Sequence, residues 1–263
     1  MNVKSRFHCS KRFISILLVI ILLTGTAYAL YAEKALFPIF VNGEELYLEN
    51  PPLAYNGRSY LPIKSISDAV GVKAEWKNNR VEIQTIDLEA LKNSCVMVRA
   101  GDVKGTYIEQ ASGVIIDYDE ILTVNHIADH EYFAIHYDDS TSFNHCTLND
   151  YSTEQDAAIL TPSNISVKPV QIGDSDTVKV GDKVWVISSP QGEKNKTAIA
   201  TVFKTDSNTN YMIGFEITPV TDGGSSGGAV FNSNGELIGI VQAGDSKTTF
   251  VVPINDIRQD LAS

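Results

Sequence analysis

A histidine, an aspartate and a serine between glycines are the residues of this chain whose types could together perform nucleophilic chemistry. His126 follows the apolar run in ILTVNHIA, Asp156 precedes the apolar run in DAAIL, and Ser226 lies in GGSSGG. A serine hydroxyl is a weak nucleophile until a base removes its proton, and imidazole is a better base when a carboxylate fixes its tautomer. The set therefore suits acyl transfer through a serine, with His126 as the base and Asp156 orienting it.

Each of these residues also has a simpler interpretation when it is taken alone. A Gly/Ser cluster is more often a surface turn, and an isolated aspartate at the start of a strand is more often a capping residue. His126 and His130 form H-x-x-x-H, which can bind zinc on a helix, but the glutamate of a metalloprotease is missing and Asp129 is wrongly placed to replace it. Taken jointly, the three segments favour the serine mechanism, with no metal and no cofactor.

The elements that must position these residues are predicted to be short strands. From Cys95 onward, strand-like runs alternate with turn residues at short, regular intervals. This pattern predicts an all-β sandwich or a pair of barrels. Cys95 and Cys146 could pair in an oxidising compartment, but the sequence alone does not show whether they are close.

Residues 37–86 are predicted to form a small α+β unit. The runs FVNGEELYL and LAYNGRSYLP each place Asn-Gly between strand-like segments, which is a hairpin signal, and a last hairpin is predicted to turn at residues 77–79. The apolar residues of IKSISDAVGV have helical spacing, with Gly71 as the expected C-cap. Residues 87–94 are predicted to be a short helix that links this unit to the next.

Residues 1–32 have the layout of an export signal. A basic head precedes the uncharged run FISILLVIILLTGTAYALYA, which ends in small residues suited to cleavage. The run is also about as long as the ~20 residues that span a bilayer, so an uncleaved membrane anchor is an alternative. The whole chain carries a formal net charge of −11, which argues against nucleic-acid binding.

The order His126, Asp156, Ser226 resembles that of the trypsin/chymotrypsin-like serine proteases. The segments SGVII, ILTVNHI, DAAIL, GGSSGGAVFNSNGELIGI and FVVPIN are most similar to the HtrA/Deg branch of that family. The resemblance implies a trypsin-like double β-barrel protease domain over residues 95–263. That branch normally continues into a PDZ domain, and none is expected after PINDIRQDLAS.

The preceding segment, residues 37–86, resembles the copper-amine-oxidase N-terminal-like stalk domain. The similarity lies in VNG, PPLAYNGRSYLPIKSISDAVGVKAEW and VEI. The segment contains no His or Cys, so the resemblance implies a spacer or an envelope contact and no metal site.

The family pattern Gly-x-Ser-Gly-Gly selects Ser226 over Ser225 as the nucleophile. It implies that the N–H groups of Gly224 and Ser226 form the oxyanion hole, because both must point at the charge that develops on the substrate carbonyl. Gly223 departs from the branch, which often has a bulkier residue there. Its freedom is expected to let the oxyanion loop collapse when no substrate is bound.

Comparison with the family motif also predicts an apolar substrate pocket. Val220 lies six residues before Ser226 and is expected near the base of the pocket, with Ile240, Val241 and Phe250 near its walls. An apolar base favours small or medium aliphatic P1 residues over basic ones.

The sequence therefore predicts a mostly β, exported serine endopeptidase that acts on proteins or peptides. It is expected outside the cytoplasm of a Gram-positive bacterium, either secreted or anchored by residues 1–32. The alternative is a catalytically silent cell-surface binding protein that keeps a protease-like fold as a scaffold.

Overall fold

The computed structural model describes residues 33–34, 37–41, 44–48, 50–102, 106–136, 144–163, 167–209 and 212–262. The chain divides into two compact units, one of residues 1–40 and 45–62 and one of residues 41–44 and 63–263. The predicted signal or anchor and the predicted Asn42-Gly43 turn lie outside the described residues. In the part of the chain that is described, no helix is both long and apolar enough to cross a membrane.

Short strands make up the described part of the chain before residue 62. They are β1 (Glu33–Lys34), β2 (Phe40–Val41), β3 (Glu44–Glu45), β4 (Leu53–Tyr55) and β5 (Arg58–Tyr60). Strands β1, β4 and β5 form one antiparallel sheet in that order. Asn56 and Gly57 join β4 to β5 with φ of 48° and 69°. Because two-residue hairpins of this type need positive φ at both positions, the predicted turn is confirmed.

The second unit begins with a helix, a hairpin and a linking helix. These are α1 (Ile63–Ala69), β6 (Lys73–Lys77), β7 (Arg80–Gln84) and α2 (Leu88–Asn93). Gly71 follows α1 with a φ of 71°, as the predicted C-cap requires. The Asp87 side chain caps α2 by accepting a hydrogen bond from the Ala90 amide, 3.0 Å long. The predicted helices at both places are therefore confirmed.

Barrel 1 is a closed barrel of six antiparallel strands. The strands are β8 (Cys95–Gly101), β9 (Tyr107–Asp117), β10 (Glu120–Val124), β11 (Tyr132–His136), β12 (Asn144–Ser152) and β13 (Ala157–Pro162). They neighbour one another in the order β10, β13, β12, β11, β8, β9, and β9 pairs again with β10. Closure removes the unpaired edges that an open sheet would leave.

Barrel 2 follows in the chain and is also closed by six strands. Its elements are β14 (Gln171–Ile172), β15 (Lys183–Ser188), β16 (Lys196–Thr209), β17 (Met212–Ile217), β18 (Ala229–Phe231), β19 (Glu236–Gly244), β20 (Thr249–Pro253) and α3 (Ile254–Leu261). The order is β19, β18, β15, β16, β17, β20, with β20 pairing back to β19, while β14 lies parallel to β19 on its outer side.

An apolar cluster holds the two barrels together. It contains buried side chains of barrel 1, such as Ile121 and Ile135, and of barrel 2, such as Phe231 and Leu237. The loops at the ends of β9, β10, β15 and β18 are thereby brought to a common seam. The predicted fold class, mostly β with a trypsin-like double barrel behind a small N-terminal domain, is confirmed.

Candidate active site

His126 lies where barrel 1 turns from β10 into the seam. A 3₁₀ turn, Asn125–Ile127, follows β10 directly and carries the imidazole. The turn is held to the start of β13 because the Asn125 amide donates to the Asp156 carbonyl, at 3.0 Å. The predicted placement of His126 just past a strand is therefore confirmed.

Asp156 meets His126 through both of its carboxylate oxygens. Oδ2 lies 2.8 Å from His126 Nδ1, and Oδ1 accepts from the His126 amide, also at 2.8 Å. Gln242 of β19 donates from Nε2 to Oδ2 at 3.1 Å. Asp156 is buried, and these three hydrogen bonds satisfy a polar side chain that would be costly to bury without partners.

The pKa of the His126 imidazole is raised above its ordinary value of 6.5. The hydrogen bond to Asp156 is the largest cause, burial opposes it, and the charges of Asp156 and Glu109 add to the increase. Because Asp156 engages Nδ1, Nε2 is the nitrogen that remains available for proton transfer. The imidazole can thus serve as a base above its raised pKa.

The two serines of the glycine-rich loop occupy different environments. Ser225 is 1% exposed, and its hydroxyl accepts from the Asp222 amide at 3.2 Å and lies 3.4 Å from Ser188 Oγ. Ser226 is half-buried, and its carbonyl accepts from the Ser112 amide of β9 at 2.7 Å. A nucleophile must reach solvent and substrate, so Ser226 fits that role and Ser225 does not.

Backbone conformation in this loop depends on glycine at two positions. Gly224 and Gly227 have φ of 92° and 81°. A Cβ on Gly224 would lie 2.5 Å from Gln110 Nε2, and one on Gly227 would lie 2.0 Å from the Ser112 carbonyl oxygen. Both positions therefore exclude a side chain on two grounds, conformation and close approach.

The amides expected to form the oxyanion hole are unoccupied by other acceptors. Among the described residues, neither the Gly224 N–H nor the Ser226 N–H donates to a protein acceptor. The Gly223 carbonyl accepts from the Gln191 amide at 2.7 Å. The expected collapse of the loop in the absence of substrate stays a prediction.

The His126 imidazole and the Ser226 hydroxyl are not hydrogen-bonded to each other in the described residues, where the His126 contacts are those to Asp156. Catalytic hydrogen bonds are often long before substrate binds and shorten in the complex. The structure thus brings His126 and Asp156 together, and the contact between His126 and Ser226 is part of the proposal below.

The four predicted pocket residues do not share one cluster. Ile240 and Phe250 are buried in the apolar cluster that joins the barrels, while Val241 is buried in a second cluster inside barrel 2. Val220 is half-buried and packs against that second cluster, with its amide donating to Thr249 Oγ1 at 3.3 Å. Of the four, Val220 is the one whose side chain has a surface to offer a ligand.

The other side chains considered in the sequence, His130 and the two cysteines, take no part in the His126–Asp156 pair. His130 Nε2 lies 3.0 Å from Glu109 Oε2, so His130 and His126 are paired with different carboxylates. Cys95 and Cys146 are buried free thiols, and burial raises the pKa of Cys146 to about 12 and that of Cys95 further. Neither cysteine is therefore reactive at neutral pH.

Residues that sequence reasoning missed cluster around the same site. Gln242 bonds to Asp156, while Ser112, Gln110 and Gln191 bond to the loops around Ser226. They are ordinary polar residues within strands or turns. The sequence offered one signal for Gln110, Ser112 and Gln242, which is that they lie close in the chain to the segments that resemble the protease family.

Comparison with known proteins assigns the domains. Residues 111–240 match the family model of the trypsin-like peptidase domain, and residues 37–98 match that of the copper amine oxidase N-terminal domain. The chain thus contains a trypsin-like peptidase domain preceded by a copper amine oxidase N-terminal-like domain. Within the trypsin-like class its relatives are HtrA-like.

One curated relative is the "Serine protease HtrA-like" protein of Staphylococcus aureus, 31% identical over 38% of this chain and 15% of its own. Another is a periplasmic serine endoprotease DegP-like protein of Pseudomonas putida, 30% identical over 58% of this chain and 34% of its own. The chain spans roughly a third or less of these relatives' length.

Among solved structures, the Rv3671c protease of M. tuberculosis in its inactive form has a TM-score of 0.58 at 22% identity. The match covers 66% of this chain and 90% of that one. It shows that the two proteins share the double-barrel fold.

We predict that Asp156→Asn lowers the pKa of His126, because it removes the largest cause of the increase while asparagine tolerates the same backbone conformation. Since the folded-state pKa is raised, the pair stabilises the fold fully below pH 6.5 and loses that contribution as pH rises through the raised pKa. NMR titration of the His126 ring protons measures the pKa. Glu109→Gln is the control and should lower the pKa of His126 less than Asp156→Asn does. An unchanged pKa of His126 in Asp156→Asn would contradict the pairing of the two residues.

Proposed function

We propose that this protein is a serine endopeptidase in which Ser226, His126 and Asp156 act as a catalytic triad. The observation that carries the proposal is the 2.8 Å pairing of His126 Nδ1 with the buried Asp156 carboxylate. This pairing leaves Nε2 available for proton transfer. Ser226 is half-buried, and among the described residues the Gly224 and Ser226 amides of its loop donate to no protein acceptor. The trypsin-like family match and the HtrA-like relatives support the same activity.

The reaction proceeds in two acyl-transfer steps. His126 Nε2 takes the Ser226 proton as Oγ forms a bond to the substrate carbonyl carbon, and the Gly224 and Ser226 N–H groups bind the resulting oxyanion. The C–N bond then breaks as His126 returns the proton to the leaving amine. Water then attacks the acyl carbon as His126 takes its proton, and the bond from that carbon to Ser226 Oγ breaks as His126 returns the proton to Oγ and the acid product leaves. Asp156 holds Nδ1 throughout, and its hydrogen bond favours the protonated imidazole that forms in each step.

The proposed substrates are proteins or peptides with a small or medium apolar P1 residue. Val220 supports this preference because it packs against apolar residues of barrel 2 and carries no charge that would pair with a basic P1 side chain. Nearby, the Thr221 and Thr249 hydroxyls bond to each other at 3.1 Å. A Cβ built on Gly244 would clash with Thr221 Oγ1, so the backbone at Gly244 and the Thr221 side chain approach each other closely. We expect this approach to narrow the proposed pocket beside Val220.

The proposed location is outside the cytoplasm of a Gram-positive bacterium, secreted or anchored in the membrane. The signal-like layout of residues 1–32, the staphylococcal relatives and the periplasmic relative of P. putida support this location. The copper amine oxidase N-terminal-like domain is proposed to act as a spacer or envelope contact.

Labelling by a fluorophosphonate probe tests the nucleophile, because the probe loses fluoride as phosphorus bonds to an activated serine oxygen. We expect wild type and Ser225→Ala to be labelled and Ser226→Ala to remain unlabelled. Labelling that persists in Ser226→Ala would overturn the assignment. If no form is labelled while all remain folded, the silent binding protein becomes the better account.

Peptides that differ at P1 alone test the pocket. We expect kcat/KM for Val or Ala at P1 to exceed that for Lys by about 10-fold or more, because a buried ammonium ion would have no partner beside Val220. Val220→Asp should shift the preference toward Lys. A wild-type enzyme that prefers Lys would show that Val220 does not line the pocket.

Mass spectrometry of protein isolated from a native-like host tests export. A mature N-terminus near Ala29 indicates cleavage, and an intact N-terminus in the membrane fraction indicates anchoring. Intact chain confined to the cytoplasmic fraction would contradict both forms of the localisation proposal.

A further inference from the structure

Ser112 is not a member of the proposed triad, yet it bonds to the loops around Ser226 through both its backbone and its hydroxyl. It lies on β9, is 1% exposed, and makes four hydrogen bonds. Its amide donates to the Ser226 carbonyl at 2.7 Å, and its carbonyl accepts from Thr123 Oγ1 at 2.7 Å. Its hydroxyl donates to the Gly224 carbonyl at 2.8 Å and accepts from the Ser189 amide, also at 2.8 Å.

The direction of the two hydroxyl bonds is fixed by chemistry. The Ser189 amide can only donate, so it occupies a lone pair of Ser112 Oγ. The single hydroxyl proton must then go to the Gly224 carbonyl, which can only accept. One buried hydroxyl of barrel 1 therefore bonds to two segments of barrel 2, as donor to one and acceptor from the other.

Both peptide groups that flank the Gly224 Cα are held by these contacts. The peptide that carries the Gly224 N–H has the Gly223 carbonyl, which accepts from the Gln191 amide at 2.7 Å. The next peptide has the Gly224 carbonyl, which accepts from Ser112. Since φ at Gly224 is 92°, where glycine rotates at little cost, hydrogen bonds at both ends are what fix the direction of this N–H.

The turn that supplies Gln191 also depends on β9. The Ser189 amide donates to Ser112 Oγ, and the Ser189 carbonyl accepts from Gln110 Nε2. Ser189 is fully buried and precedes Gln191 by two residues, and Gln191 itself has a positive φ of 53°. Ser112 thus acts on Gly224 directly and, through Ser189, on the residue that holds Gly223.

We propose that Ser112 is a positioning residue whose hydroxyl, reaching from barrel 1, holds the Gly224 N–H in the direction needed to bind the oxyanion. The inference rests on the proposed serine-peptidase function and extends it. It assigns part of the control of the oxyanion hole to a side chain outside the loop that forms it.

Ser112→Ala removes both hydroxyl bonds while it keeps the amide bond to Ser226. We expect kcat to fall about 10- to 100-fold, because misplacement of a donor by about 1 Å costs up to ~100-fold, whereas KM should change by less than about 3-fold. Affinity for a peptide boronic acid, whose tetrahedral adduct presents an oxygen to the oxyanion hole, should fall in parallel with kcat/KM. Ser112→Cys, which keeps the shape but donates weakly, should lie between wild type and alanine.

Thr123→Val is the matched control. Thr123 is fully buried, and its hydroxyl bonds to the carbonyl of the same serine, so the substitution loses one buried hydrogen bond without touching the Gly224 carbonyl. We expect it to lower the melting temperature about as much as Ser112→Ala does and to leave kcat and boronate affinity within about 3-fold. Equal losses of kcat in the two variants would reduce Ser112 to a structural role and overturn the proposal.

A readout independent of catalysis separates failure of this inference from failure of the proposed function. In ¹H–¹⁵N spectra, we expect the Gly224 amide resonance to shift or broaden in Ser112→Ala and to stay unchanged in Thr123→Val. An inactive, unlabelled wild type would overturn the peptidase function while this comparison still decides the role of Ser112. An unperturbed Gly224 resonance in Ser112→Ala, or an unchanged kcat, would overturn the inference and leave the peptidase function standing.

Discussion

The hydrogen bond between the Ser112 amide and the Ser226 carbonyl ties two separately closed barrels together at the point where the proposed chemistry occurs. His126 and Asp156 come from barrel 1, and Ser226 comes from barrel 2, so the site exists only when the barrels are in register. Apolar packing between them is strong but has no direction. Hydrogen bonds across the seam supply the direction, because their strength falls steeply with angle and distance.

The Asp156 carboxylate is likewise held by residues of both barrels. Barrel 1 contributes the imidazole and the amide of His126, and barrel 2 contributes the Gln242 amide group to the oxygen that already faces Nδ1. The hydrogen bond to this carboxylate is the largest cause of the raised pKa of His126. The His126–Asp156 pair and the proposed oxyanion loop are therefore each held by residues of both barrels.

The parts of this arrangement that sequence could predict are those that depend on neighbours in the chain. The hairpin at Asn56-Gly57, the helix that ends before Gly71 and the position of His126 after β10 follow from local pattern and turn chemistry. The choice of Ser226 over Ser225 rests on the resemblance to the family pattern Gly-x-Ser-Gly-Gly, and the burial of Ser225 agrees with it.

Contacts between distant segments could not be predicted in the same way. Ser112 and Gly224 are 112 residues apart in the sequence, and Gln242 and Asp156 are 86 residues apart. Serine and glutamine are also common on strands that have no functional contact, so their residue types alone do not mark Ser112 or Gln242. The contact of the Gly223 carbonyl with the Gln191 amide was unpredictable for the same reason, since Gln191 lies in another loop. The residues expected at the pocket walls illustrate a further limit of sequence-based prediction. Ile240, Val241 and Phe250 are buried in the core, and strand register decides which side chains face the core. Amino-acid composition does not reveal that register.

Asp156 has a φ of 47°, in the left-handed region that asparagine and aspartate enter more readily than other side chains. The backbone and the chemistry at this position therefore restrict the same residue independently. Asparagine satisfies the first requirement and fails the second, and a single-nucleotide change converts one codon into the other. Under the proposed triad, one such step would separate the fold from the chemistry, because asparagine suits the backbone of this turn but brings no carboxylate to the imidazole.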